Sequence, residues 1–90
     1  MKRKDGFVLR EVCGEKVIVG EGLGAINFGK LISLNETAAW IWDKAGEQGT
    51  FSVDTLVEAL CDTYDVTPET ARTDVQALLN QWLELDIITE

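Results

Sequence analysis

Leu31-Ile32-Ser33-Leu34-Asn35-Glu36-Thr37-Ala38-Ala39-Trp40-Ile41-Trp42 is where the chain changes its period. Up to Leu34 the pattern alternates and is rich in β-branched residues and glycine; after it, apolar residues recur at helical spacing. Asn35 is a good N-cap. Ser33 and Glu36 also have the spacing of a capping box, so the junction predicts a strand running into a helix with either residue as the cap.

Upstream of the junction the reading is β. Phe7–Val12 is a strand, Gly14-Glu15 a turn, and Lys16–Gly20 a second strand, which together predict a hairpin. Glu21–Gly24 reads as a loop and Ala25–Leu34 as a longer extended segment. Ile26, Phe28 and Ile32 lie on one side of that segment, and Gly29 is a candidate bulge.

Downstream the reading is α. The first helix is predicted from Glu36 to Ala45, with Ala38, Ile41, Trp42 and Ala45 inside and Gly46 and Gly49 ending it. Trp40 points almost the opposite way, either under the N-terminal strands or out to a partner. Ser52 caps a second helix, Val53 to Tyr64, with Val53, Leu56, Val57, Leu60, Cys61 and Tyr64 in one stripe. Thr67-Pro68 opens a third helix that reaches Leu85. Its stripe is Ala71, Val75, Leu78, Leu79 and Trp82. Asp86 breaks it, and Ile87-Ile88 either form a short strand or pack down. The expectation is an α+β fold, one domain over residues 1–90, with a helix-turn-helix core.

Ninety residues, 46% apolar, suffice for one modest core and no deep enclosed cavity. No stretch approaches the roughly eighteen apolar residues of a membrane span. The basic Met1–Lys4 is followed by no apolar signal segment, so a cytoplasmic protein is expected, without membrane contact. Cys13 and Cys61 are two isolated cysteines and histidine is absent, which predicts ordinary thiols, no metal site and no cofactor. Catalysis is not expected, because the usual general base is missing. Asp54, Glu58 and Asp62 have the spacing of a solvated helix face. Gly20, Gly22 and Gly24 precede another strand instead of a helix, so they do not read as a phosphate loop.

The net charge of −8 is unevenly spread. Residues 1–30 carry six Lys/Arg against four acids, and residues 31–90 carry two against twelve. The exposed face expected for helix three has Arg72 as its only base. No nucleic-acid partner is expected from such a charge. A DNA-binding regulator and a self-associating domain stand as alternatives.

Leu34–Trp42 resembles the signature of the coenzyme PQQ synthesis protein D (PqqD) family. Leu60–Val75, with Tyr64-Asp65-Val66 at its centre, and Gln81–Ile88 are similar to two further segments of that family, in the same order. Asp86 departs from the family's usual glycine. The resemblance implies a winged helix-turn-helix, an N-terminal three-stranded antiparallel sheet followed by three helices. It also implies a recognition element that binds the leader of a ribosomally made precursor peptide. The leader would add as a strand to the third strand, beside helix three, and be presented to a modifying enzyme, often of the radical S-adenosylmethionine type. The expected peptide-binding residues are Ile26, Phe28, Lys30, Leu31 and Ile32 on the strand and Arg72, Gln76, Leu79 and Leu83 on helix three. Arg72 would pair with an acidic leader residue or neutralise nearby acids, and Leu83 would line the groove or pack under the sheet. A homodimer by pairing of two third strands is the remaining partner expectation.

Overall fold

The structure is a computed structural model that describes residues 1–20 and 31–90. The expected loop at 21–24, the first part of the long extended segment and its Gly29 bulge, together with Ile26, Phe28 and Lys30, lie outside the described residues. The described chain is α+β. Its strands are β1 (Lys2–Arg3), β2 (Phe7–Val12), β3 (Glu15–Gly20), β4 (Leu31–Leu34) and β5 (Ile88–Thr89). Its helices are α1 (Glu36–Gln48), α2 (Val53–Thr63) and α3 (Pro68–Glu84).

β2, β3 and β4 form an antiparallel sheet in that order. Leu9 faces Ile18, and Ile18 faces Ile32. That register puts Phe7, Leu9, Ile18, Ile32 and Leu34 on one side, where all five join the core. The hairpin turn sits one residue earlier than expected. Cys13 and Gly14 are its two central residues, with φ of 53° and 82°, and Val12 pairs with Glu15. A two-residue loop with both φ positive matches the right-handed twist of its strands, and glycine takes the second position without strain.

At the start of α1 the cap is Asn35, whose side chain accepts from the Ala38 amide at 2.8 Å, while Ser33 belongs to β4. α1 runs on to Gln48, past Gly46. Gly46 is therefore not a terminator: a Cβ there would collide with the Arg3 guanidinium. The missing side chain admits the Arg3 guanidinium, which lies 4.9 Å from the centre of the Trp42 ring. Gly49, at φ 75°, ends the helix. Ser52 caps α2 in a reciprocal pair with Thr55, and Thr67 caps α3 ahead of Pro68.

The expected stripes of α1 and α3 are buried, apart from half-buried Leu78. In α2 the stripe holds except at Tyr64, which caps the helix and is 40% exposed. Trp42 and Trp82 meet edge to face at 5.3 Å in the centre of the core.

β1 had no counterpart in the expectation, because two charged residues carry no alternation. It pairs with β5, so Ile87-Ile88 both pack down and lead into a strand. Met1 and Phe51 exchange two main-chain hydrogen bonds beside this ribbon. Ahead of β5, Asp86 adopts φ 64°. The Ile87 amide donates to Trp82 and the Asp86 amide to Leu83. This is the paired bonding of a Schellman C-terminus, with aspartate where glycine is the easier choice. No helix among the described residues is long and apolar enough to cross a membrane.

Candidate functional site

Among the described residues β4 has one neighbour, β3, so its other side is a sheet edge. Alternate residues of a strand direct their amide and carbonyl to the same side, so two of the four residues of β4 present main-chain donors and acceptors with no partner among the described residues, a template for an added strand. All four residues of β4 are in register with β3, from Leu31 opposite Val19 to Leu34 opposite Lys16.

A cleft of about 410 Å³ begins where β4 ends. One wall is the start of α1, with Asn35, Thr37, Ala38 and Ile41; the other is α3, with Asp74, Ala77, Leu78 and Gln81. The four α3 residues are spaced i, i+3, i+4, i+7, so they share one face of the helix. Ala38 and Ile41 are buried and form the floor with half-buried Leu78, while Asn35, Thr37, Asp74 and Gln81 are exposed on the rim. An apolar floor under a polar rim can take one side chain of a bound peptide while the edge of β4 holds its main chain.

This is not the helix-three face expected from the sequence. Arg72 reaches toward α2, where its Nη1 lies 2.7 Å from Asp54 Oδ1. Gln76 donates to Asn80 along its own helix. Leu79 is fully buried in the core and Leu83 packs half-buried against it. Arg72, Gln76 and Leu83 lie across the buried stripe from the cleft, Leu79 lies within the stripe, and none of the four lines the cleft. Both flanks of the stripe look alike in sequence, and the packing of α2 decides which one is occupied.

On the strand, Ile32 turns its side chain to the core, opposite Ile18, so only its main chain is available at the edge. Leu31 is described by its main-chain pairing alone. The cleft residues that sequence reasoning missed carry one faint signal. Ala77 is small, and it stands beside Leu78 on the rim of the helix-three stripe.

Trp40 is half-buried. Its ring meets Tyr64 edge to face at 5.5 Å, with Lys44 Nζ 5.4 Å from its centre. These two contacts come from α1 itself and from the C-cap of α2. Cys13 is exposed and Cys61 half-buried, both as free thiols. Asp54, Glu58 and Asp62 are exposed on α2.

The sequence model of the family described as coenzyme PQQ synthesis protein D matches residues 15–88. Two solved structures share the fold. TbiB1 in complex with the TbiA(beta) leader peptide is 22% identical, covers 98% of this chain and 94% of its own, and has a TM-score of 0.75. Lasso peptide synthetase B1 complexed with the leader peptide is 19% identical, covers 99% and 96%, and has a TM-score of 0.74. No curated protein matches the chain.

Proposed function

The chain belongs to the family of coenzyme PQQ synthesis protein D, and from that premise we propose that it is a peptide-binding module without catalytic activity of its own. It takes the leader of a ribosomally made precursor peptide as an added strand on β4 and presents it to a separate modifying enzyme, for which a radical S-adenosylmethionine enzyme is the candidate class. The observation that carries this reading is the open edge of β4 running directly into the cleft between α1 and α3. Strand addition draws affinity from main-chain hydrogen bonds and selectivity from adjacent side-chain pockets, and it needs no reactive groups. The absence of histidine is in keeping with that. Two proteins of the same fold have been solved with leader peptides bound, which supports a leader peptide as the ligand here.

The test is fluorescence anisotropy with labelled leader segments from short reading frames beside the gene. Proline is placed in turn at Ile32 and Ser33. Amides of successive strand residues point to opposite sides. One of the two prolines therefore removes a donor to β3, and the other removes a donor to the open edge. Saturable binding that one proline abolishes, in a variant whose circular dichroism and melting are near native, supports strand addition. Undiminished binding by both variants would exclude it.

A further inference from the structure

The cleft between α1 and α3 has an asymmetry of charge that the proposed function leaves open. Of the residues that line it, only Asp74 is ionisable; the others are Asn, Thr, Gln, Ala, Ile and Leu. Asp74 is exposed and has no ion-pair partner among the described residues. Three acids elsewhere are paired, Asp54 with Arg72, Glu47 with Lys44 and Asp86 with Lys4, and none of those cations lines this cleft. A second cleft adjoins the first at Asn35, and there Glu11, Glu15 and Glu36 outnumber Lys16. The two depressions form one path past the end of β4, apolar at its floor and negative along its rim. Residues 31–90 hold two Lys/Arg against twelve acids, so the wider field has the same sign.

We infer that the peptide bound on β4 carries an apolar anchor with a lysine or arginine within two residues of it, and that Asp74 selects that cation. This rests on the strand-addition reading and names the chemistry of its ligand. The anchor sits on Ala38, Ile41 and Leu78. Side chains two places apart on a strand point the same way, so a long basic side chain two residues from the anchor can reach the rim. The sign is opposite to the one implied by Arg72. α3 turns its one cation toward α2 and an unmatched anion toward the cleft. A carboxylate at the rim adds little affinity by itself but discriminates strongly against a like charge.

The experiment selects a phage-displayed library of random linear peptides on the full chain, and separately on Asp74→Asn and Asp74→Lys. The native chain is expected to enrich peptides with Lys or Arg close to an apolar residue. Exchanging that cation for Glu in a selected peptide is expected to weaken binding about tenfold. Asp74→Asn should flatten the preference, and Asp74→Lys should invert it toward acidic peptides. Peptides enriched without charge preference, or with a preference that Asp74→Lys leaves intact, would overturn the inference and leave strand addition standing. Failure of all three chains to enrich any peptide would overturn the strand-addition reading itself, and this inference with it.

Discussion

Arg72 Nη1 on α3 lies 2.7 Å from Asp54 Oδ1 on α2. The two side chains are 57% and 76% exposed, so water screens the pair and its contribution to stability is about 0.5 kcal/mol. Its information is geometric: it marks the flank of α3 that looks at α2, away from the cleft. Arg72→Ala is therefore expected to lower stability by no more than about 1 kcal/mol in urea titration. It should leave the anisotropy titration of a bound leader unchanged. A large loss of affinity with stability intact would return Arg72 to the binding surface.

Gly46 and Arg3 occupy one place. Alanine at an exposed helix interior gains about 1 kcal/mol over glycine, but here its Cβ would displace the Arg3 guanidinium from Trp42. A cation over an aromatic face is worth roughly 0.5–1 kcal/mol where water has access. The two changes should nearly cancel in Gly46→Ala. With Arg3→Ala already made, Gly46→Ala should stabilise by about 1 kcal/mol. A double-mutant cycle by chemical denaturation measures the difference, and simple additivity would show that the two residues do not compete.

Asp86 holds a left-handed conformation at φ 64°, which costs a residue with a Cβ about 1 kcal/mol or more. Aspartate tolerates it better than most residues, and its exposed pair with Lys4 offsets a fraction of the cost. Asp86→Gly is expected to match or exceed the native stability, while Asp86→Ala should fall about 1 kcal/mol below Asp86→Gly. Melting temperatures of the three chains give the order. An alanine variant as stable as the glycine one would mean that this turn is not maintained in solution.

Trp40 and Trp42 stand two residues apart in α1 with different surroundings. Trp42 is fully buried against Trp82, whereas Trp40 is half-buried between Tyr64 and Lys44. Trp42→Ala should cost about 3–5 kcal/mol. Trp40→Ala should cost about 1–2 kcal/mol, because its site is already open to water and leaves no closed cavity. Equal losses in urea titration would place Trp40 in the core.

The strand-to-helix junction at Asn35, the caps at Ser52 and Thr67, and the buried stripes of α1 and α3 were legible in the sequence. Each depends on period or on bonds between residues a few places apart. Three features were not. Gly46 reads as a helix end because glycine commonly ends helices; only Arg3, brought in from the far end of the chain, turns it into a passage. β1 is invisible because two charged residues acquire strand geometry only when β5 lies beside them. Finally, Asp74, Ala77, Leu78 and Gln81 on one side of the α3 stripe, and Arg72, Gln76 and Leu83 on the other, are equivalent by spacing. Spacing determines which residues share a face of a helix. Which of two flanks is open depends on where α1 and α2 pack around it, and that only the tertiary structure decided.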